Sequence, residues 1–306
     1  MTVADIPLPK HLLAPDAGYG WRAVMRTLGG FLALLLLIPA LARPWPWTAT
    51  LLLPALGLMM YRMTVVMHDC AHATLFPSPR LNRLVGTLLG AAAGLSFRAF
   101  ARLHRQHHAH VGLADDPQGP HYPGDWSRSR ARLLRHLLRP LLGGNLPLLR
   151  RIPAALAAAP ESPMWQRLAE PALIAGMQLA WAEIVSHGFR LWWLAPAPIL
   201  AAATFGLFFS QLRGFAEHAA LPGVDPAGHV RSHRPHPLDR ILLYDVNFNH
   251  HREHHLYPQV PSCRLPALHA ALTARDGSPI APAATMFATI RQCWRAAGRA
   301  TPRSAS

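Results

Sequence analysis

The stretch PWPWTATLLLPALGLMMYRMTVVMHDCAH, residues 44–72, joins an apolar run to a pair of histidines. Residues 44–61 carry no charged side chain. Because an α-helix rises about 1.5 Å per residue, a run of about 18–20 apolar residues crosses the hydrocarbon core of a bilayer. The stretch therefore predicts a transmembrane helix at about residues 45–66, with His68 and His72 placed just beyond its end.

Three more segments have a similar character. Residues 27–42 and 191–212 are free of charged side chains, and residues 171–185 carry one acid, Glu183, near their end. Residues 84–97 are too short to span and are expected to lie at the membrane interface or to re-enter. Hydrophobic residues make up 51% of the 306-residue chain and charged residues only 15%, which favours an integral membrane protein. We predict an all-α protein with four transmembrane helices in two hairpins, at about residues 24–42, 45–66, 171–187 and 190–210.

The net charge of +15 is carried mainly by arginines outside the predicted helices. Residues 98–167 hold eleven arginines against four acids, and eleven more arginines lie from residue 213 onward, whereas the turn at 43–48 holds one. Positively charged residues collect on the cytoplasmic side of membrane proteins. Both termini and the middle segment are therefore expected in the cytoplasm, beneath what we expect to be a bacterial inner membrane. Nucleic-acid binding is disfavoured because no aromatic-basic module accompanies the charge.

The predicted organisation is a cytoplasmic arm at residues 1–23, a membrane domain at 24–295 and a polar tail at 296–306. The three cysteines are far apart and form no CxxC pair. Neither a disulfide framework nor a zinc ribbon is therefore expected.

Many of the nineteen histidines gather at the ends of the predicted helices. HDCAH at 68–72, HRQHH at 104–108 and HHREHH at 250–255 space them three or four positions apart, and EH at 217–218 follows the last span. Residues i, i+3 and i+4 of a helix share one face, so each motif can direct two or three imidazoles to one point. Nine such ligands are too many for one metal ion and suit two. The candidate ligands are His68, His72, His104, His107, His108, His218, His251, His254 and His255.

Imidazole binds zinc, copper, iron and nickel, so the ligand type alone does not select the metal. A structural zinc ion closes its shell with four ligands, whereas nine histidines beside a membrane favour two redox ions with positions open for dioxygen. His250 should point away from the site because it diverges by about 100° from His251 on a helix. Seven other histidines, His269 among them, lack helical spacing and are expected to play ordinary roles. Side chains that could fix the imidazole rings or relay protons are Asp69, Asp115, Asp116, Glu217 and Asn247.

The order HDCAH, HRQHH, RGFAEH and NFNHHREHHLYPQVPSCRLPALH resembles the membrane fatty acid desaturase superfamily, over residues 45–272. The resemblance implies a four-helix membrane fold with a cytoplasmic histidine-rich cap. It implies that the nine candidate histidines bind two iron ions and that dioxygen is a co-substrate. It further implies removal of two hydrogens from an unactivated methylene pair, or hydroxylation or oxidation of one carbon, with two electrons supplied from outside.

Two details of the motifs bear on the reaction. HRQHHAHVGLADDPQ resembles the second histidine motif of carotenoid ketolases in the same superfamily, whereas RGFAEH and YPQVPSCRLPALH resemble acyl-lipid desaturases. Some family members hold a metal-bound water through an asparagine four positions before the isolated histidine. That position is Gly214 here, so a water-mediated ligand must come from elsewhere, and Asn247 is a candidate.

We therefore predict an oxygen-dependent oxidoreductase that introduces a double bond into a fatty acyl lipid. A lipid or carotenoid hydroxylase or ketolase of the same superfamily is the first alternative. A membrane metal transporter or metal-binding scaffold is the second, although such a protein would place polar ligands within its spans. No fused haem or flavin motif is visible in the sequence. The electrons are expected to come from a ferredoxin-like protein and its reductase, docked on the arginine-rich face.

Overall fold

The computed structural model describes residues 8–145, 147, 164–221, 230–244, 246–276 and 284–299. These residues form helices and connecting turns, and no strand occurs among them. The first seven residues of the predicted arm and the predicted tail beyond residue 299 lie outside the described residues. The chain divides into two compact units. The histidine-rich unit comprises Met1–Ala14, His104–Arg139 and Ser210–Ser306, and the apolar unit comprises Pro15–Leu103 and Pro140–Phe209.

The helices are numbered in chain order over the described residues. They are α1 Ala17–Ala42, α2 Trp47–Ala71, α3 Pro79–Ala92, α4 Phe97–His110, α5 Arg130–Leu138, α6 Met164–Glu183, α7 Ala197–Ala201, α8 Leu207–His218, α9 Pro237–Leu242, α10 His251–Leu256, α11 Leu265–Asp276 and α12 Met286–Ala296.

Within the described residues, four helical stretches are long and apolar enough to cross a bilayer. The prediction of an all-helical protein with four membrane-capable helices is thereby confirmed. The pairing of the spans into hairpins and the cytoplasmic position of the histidine-rich cap remain predictions. The four stretches are Lys10–Ala42, Trp47–Ala71, Arg167–Gly188 and Trp192–His218.

Helix α1 is buried along one stripe and exposed along another. The buried positions Val24, Phe31 and Ile38 are spaced by two helical turns. Leu32 and Leu36 are 50% and 65% exposed on a different face. Because α1 packs on α2 within the apolar unit, we infer that the buried stripe faces the protein interior. The exposed leucines suit contact with lipid tails, which are as apolar as leucine.

Helix α2 approaches the end of α7 and the residues that follow it so closely that only glycine fits at the contact. A Cβ atom built on Gly57 would lie 2.5 Å from Cβ of Phe205 and 2.7 Å from the carbonyl oxygen of Ala201. Small residues permit this kind of backbone contact between apolar helices. Gly57 therefore fixes how α2 packs in the apolar unit.

Helices α3 and α4 meet at a bend of 104°. Gly94 adopts the left-handed conformation there, with φ of 77°. The hydroxyl of Ser96 caps α4 by accepting from the amide of Ala99 at 3.1 Å. Glu170 of α6 accepts from the Arg98 amide at 3.1 Å and from the Ser96 hydroxyl. These bonds hold the start of the helix whose second half carries HRQHH.

Two apolar clusters stabilise the histidine-rich unit. The first surrounds Trp126, whose ring lies edge-on to Phe215 at 5.6 Å and 86°. Because Phe215 belongs to α8, this cluster holds the helix that ends at His218. The second cluster packs around Tyr257, directly after α10. Its buried members are Leu12, Tyr257, Val260, Leu265, Leu268 and Leu272.

A buried histidine lies between three segments of the histidine-rich unit. The ring nitrogens of His233 lie 3.1 Å from the hydroxyl of Tyr244 and 3.2 Å from that of Thr289. Its backbone exchanges hydrogen bonds with Asn249, just before α10. Burial, and to a smaller extent the charge of Arg231, lowers the pKa of His233 to about 3. The ring is therefore neutral in the folded protein at neutral pH.

The close contact at Gly57 predicts a strong response to one added methyl group. Gly57→Ala should destabilise the protein by about 1–3 kcal/mol, because backbone atoms lie where the methyl must go. Gly29→Ala is the matched control, since no atom lies within 4 Å of its built Cβ. It should be neutral or stabilising by up to about 1 kcal/mol through helix propensity. Melting temperatures in detergent decide the point, and equal values for both variants would contradict the predicted packing.

The low pKa of His233 predicts a specific acid sensitivity. Above pH 7 the ring is neutral in both the folded and unfolded states, so it carries no pH dependence there. Below the unfolded-state pKa of about 6.5 only the unfolded chain gains the proton, so folding stability is lost as pH falls. By pH 5 this loss amounts to about 2 kcal/mol. In His233→Gln the loss should be absent, so its stability difference from wild type should shrink by that amount between pH 7 and pH 5. A difference that is constant over this range would contradict the prediction.

Candidate metal centre

Three histidine nitrogens converge in a group that we call site A, formed by His104, His108 and His254. Nε2 of His108 lies 2.9 Å from Nε2 of His104 and 3.1 Å from Nε2 of His254. Two nitrogens bound at about 2.0–2.1 Å to one metal ion, at right angles, are about 3 Å apart. The spacing therefore fits three imidazoles that share one ion.

Four histidines form a second group, site B, from His107, His218, His251 and His255. Nε2 of His218 lies 2.9 Å from Nε2 of His251. The ring of His107 is edge-on to those of His218 at 4.8 Å and His255 at 5.0 Å. Nε2 of His107 and of His255 are buried and have no hydrogen-bond partner among the described residues. Buried nitrogens are rarely left unsatisfied, so these two fit a site that holds a cation.

The two sites draw on the same helices and lie side by side. Helix α4 gives His104 and His108 to site A and His107 to site B, while α10 gives His254 to site A and the other two to site B. The rings of His108 and His255 stack across the boundary at 4.2 Å and 21°. The sequence spacing predicts that each motif faces one point, and the structure divides HRQHH and HHREHH between two neighbouring sites.

His68 and His72 belong to the apolar unit, at the end of α2. Their rings are 4.8 Å apart, as expected for residues one turn apart on a helix. Oδ1 of the intervening Asp69 lies 3.3 Å from Nδ1 of His68. The pair is thus oriented together, with an acceptor beside it.

Asp116 connects both sites through hydrogen bonds. Its carboxylate lies 2.9 Å from Nδ1 of His107 in site B and accepts from the Gln118 amide at 2.8 Å. The Gln118 side chain lies 3.3 Å from Nδ1 of His104 in site A. The Tyr122 hydroxyl also donates to Asp116, and its ring stacks on that of His218 at 5.0 Å. The carboxylate thus orients His107 directly, because a ring nitrogen that donates outward leaves the other free to bind metal, and it holds the backbone of Gln118 beside site A.

The electrostatics of this region favour a neutral ligand set beside a charged acceptor. Burial alone would raise the pKa of Asp116, but hydrogen bonds from His107 and Tyr122 hold the pKa below its ordinary value. Burial, followed by the charges of neighbouring imidazoles, lowers the pKa of His251 and His255 well below the ordinary range. The two imidazoles are therefore neutral at pH 7, which is the form that binds a metal ion.

The remaining predicted acceptors differ in their surroundings. The side chain of Asp115 is 68% exposed, with Oδ2 3.1 Å from Nδ1 of His110. Asn247 has a positive φ of 30° and donates to the carbonyl oxygen of Ser262 at 3.2 Å. Glu217 is 1% exposed, and its Oε2 lies 3.5 Å from Nε2 of His251.

Sequence reasoning missed several residues that support the site. Nδ1 of His269 lies 2.5 Å from Oε1 of Glu253, which is buried. The other carboxylate oxygen of Glu253 accepts a hydrogen bond from the Ser232 hydroxyl. These contacts anchor α10 between its histidines. Arg231 donates to the carbonyl oxygen of Ala216 at 2.8 Å and to that of Ala219, and so caps the end of α8. None of these pairs has helical spacing in the sequence, so periodicity could not find them.

Known proteins resemble this chain over much of its length. The model of the family described as fatty acid desaturase matches residues 42–282. The chain belongs to the fatty acid desaturase family. It is 28% identical to the sphingolipid delta(4)-desaturase/C4-monooxygenase of Bos taurus over 86% of this chain and 77% of that protein. It is 31% identical to the beta-carotene ketolase of Paracoccus sp. (strain N81106 / MBIC 01143) over 66% of this chain and 72% of the ketolase.

A third relative covers only part of the chain. The chloroplastic omega-3 fatty acid desaturase of Glycine max is 30% identical over 39% of this chain and 26% of that protein. These relatives are a desaturase/monooxygenase, a ketolase and a desaturase, so they are oxidoreductases, and this chain is a member of an oxidoreductase family. The identification of the family from the histidine motifs is thereby confirmed.

The position of Asp116 predicts that it tunes metal affinity. Asp116→Asn removes the charged acceptor of His107 and should weaken metal binding about 10–100-fold. Asp115→Asn is the matched control, because Asp115 is exposed and contacts His110, which lies outside sites A and B. Chelator competition on purified protein measures both affinities. Equal affinities in the two variants would show that Asp116 does not orient a ligand.

Proposed function

We propose that this chain is a membrane-bound, oxygen-dependent acyl-lipid desaturase in which nine histidines bind two iron ions. The observation that carries the proposal is the convergence of seven predicted ligands in sites A and B, with two buried Nε2 atoms that lack hydrogen-bond partners among the described residues. His68 and His72 are proposed to complete the ligand set, on the basis of their spacing and of the family motifs.

The number and type of ligands favour two redox ions over one structural ion. A structural zinc ion uses four ligands in a closed shell, whereas sites A and B together present seven imidazoles. A metal transporter would place its polar ligands near the middle of the spans. Here His68 lies in the last turn of α2 and His218 is the last residue of α8. The number of imidazoles and their position at the ends of helices both support an enzyme rather than a transporter or scaffold.

The chain's own residues would bind the metal ions, orient the imidazole rings and shield them from water. When bound, two irons would supply the reductive activation of dioxygen, and with it the power to break an alkyl C–H bond, which acid–base side chains lack. Asp116 holds the proton at Nδ1 of His107 and leaves Nε2 as the basic nitrogen. Phe248 is 1% exposed, and its ring lies 5.2 Å and 5.4 Å from those of His251 and His254. It keeps water from that side of the imidazoles.

The substrate proposed is a long apolar acyl chain that enters from the bilayer. The names of the relatives specify sphingolipid, fatty acid and beta-carotene, all of them long apolar molecules. The membrane-capable helices suit access from lipid. A carotenoid or lipid ketolase or hydroxylase is the second candidate, and the 31% identity to a beta-carotene ketolase supports it.

The electron donor proposed is an acidic ferredoxin-like protein with its reductase, on the cytoplasmic side of a bacterial inner membrane. Around α5 the chain exposes Arg128, Arg130 and Arg135. Clustered positive charge speeds association with an acidic partner and makes the rate depend on salt. This surface belongs to the same unit as sites A and B.

The function is tested by metal content and product analysis together. Purified protein should contain about two irons per chain, and membranes of expressing cells should gain acyl chains with a new double bond. The double variant His107→Ala/His254→Ala, which removes one ligand from each site, should lose both. His110→Ala on the same helix is the control and should keep both. One zinc per chain, or products unchanged in the double variant, would contradict the proposal. An oxygenated product would favour the ketolase or hydroxylase.

The donor surface is tested by charge removal. The triple variant Arg128→Gln/Arg130→Gln/Arg135→Gln should raise the KM for a ferredoxin donor and flatten the dependence of the rate on salt, because fewer charges steer the encounter. Activity with a small chemical reductant serves as the control and should be unchanged. An unchanged KM for ferredoxin would exclude this surface as the docking site.

A further inference from the structure

Glu217 is a buried acid whose oxygens accept no hydrogen bond from the described residues. Its side chain is 1% exposed. Neither Oε1 nor Oε2 has a hydrogen-bond partner among the described residues. A carboxylate in a protein interior is ordinarily hydrogen-bonded, paired or bound to a metal ion, because burial of an uncompensated charge is costly.

Two other buried acids of the same unit show how such groups are satisfied there. Both oxygens of Asp116 accept hydrogen bonds, from Gln118 and Gly112 among others. Both oxygens of Glu253 are likewise engaged, by His269 and Ser232. Glu217 differs from both, because neither of its oxygens accepts a hydrogen bond from the described residues.

Arg213 supplies charge near Glu217 but does not occupy its oxygens with hydrogen bonds. Its Nε lies 3.4 Å from Oε2 of Glu217. The guanidinium carbon stands 4.4 Å from the ring centroid of Phe248, a cation–π arrangement. The guanidinium is thus engaged with the aromatic ring, and the lone pairs of the carboxylate remain available to a ligand.

The carboxylate is directed towards site B. Its Oε2 lies 3.5 Å from Nε2 of His251, which in turn lies 2.9 Å from Nε2 of His218. One ligand atom from each of these three residues lies within 4.8 Å of the others. We propose that Glu217 is a direct carboxylate ligand of the site B metal. This inference rests on the proposed function and makes the two sites chemically unequal, with an oxygen donor at site B beside its imidazoles.

The position of Gly214 agrees with this assignment. Gly214 stands three residues before Glu217 on α8, so the two positions share a face of the helix. A Cβ built on Gly214 would lie 3.4 Å from Cβ of His121, in van der Waals contact with it. Glu217 provides the oxygen donor from the next turn of the same helix.

The test uses the full-length protein, purified in detergent, stripped of metal and titrated with Co(II) as a spectroscopic probe. Wild type should bind two Co(II) ions. Glu217→Gln should bind the first with unchanged affinity and the second at least about tenfold more weakly. Glu217→Asp, which keeps a carboxylate, should recover part of the loss. Asp239→Asn, a change at another buried acid of the same unit that caps α9, is the control and should bind both ions as wild type does.

Melting temperatures with and without Co(II) separate a ligand from a structural ion pair. If Glu217 serves a metal, the rise in melting temperature on adding Co(II) should be smaller in Glu217→Gln than in wild type by about 2 °C or more, because the variant binds the second ion more weakly. Weaker second binding with intact first binding supports the inference. Unchanged affinity for both ions overturns it, and a lowered metal-free melting temperature with unchanged affinity assigns Glu217 to Arg213. Fewer than two Co(II) ions in wild type would contradict the proposed function itself, whatever the variant does.

Discussion

The central constraint on this protein is that imidazole nitrogens about 3 Å apart in a buried region need something between them. Nε2 of His108 has two such neighbours, in His104 and His254. They cannot all carry protons, because neighbouring positive charges repel and burial disfavours charge. A hydrogen bond can satisfy one pair, but a metal ion satisfies the whole set at once. The capped start of α4, the Arg231 cap on α8 and the anchoring of α10 all serve to keep these nitrogens converged.

The sequence predicted the parts of the fold that depend on local composition. Three charge-free runs and a fourth apolar run with one acid identified the four membrane-capable helices, and i, i+3, i+4 spacing identified the histidine faces. Spacing could not tell that His107 separates from His104 and His108, because that division depends on how α4 and α10 cross. The contacts of Tyr122 and His269 depend on tertiary packing and leave no periodic trace. Asp116 was found only because it lies close to HRQHH in the chain.

The family relationship and the site geometry answer different questions. The chain is similar to proteins named for desaturation, monooxygenation and ketolation, so the family relationship indicates an oxidoreductase and does not specify the product. The outcome depends on which carbon is presented and on what surrounds it. On the proposed function, a single donor on α8 near position 214 would alter the chemistry without altering the fold.

The histidine-rich unit is assembled from three separated pieces of the chain, Met1–Ala14, His104–Arg139 and Ser210–Ser306. During synthesis on the ribosome, His104 and His108 emerge long before His254, the partner with which they form site A. For that interval the early histidines are exposed to whatever metal the cell supplies, without the ligands that give the site its geometry. On the proposed function, correct metal loading is therefore a late event, which follows the packing of His254 against His108.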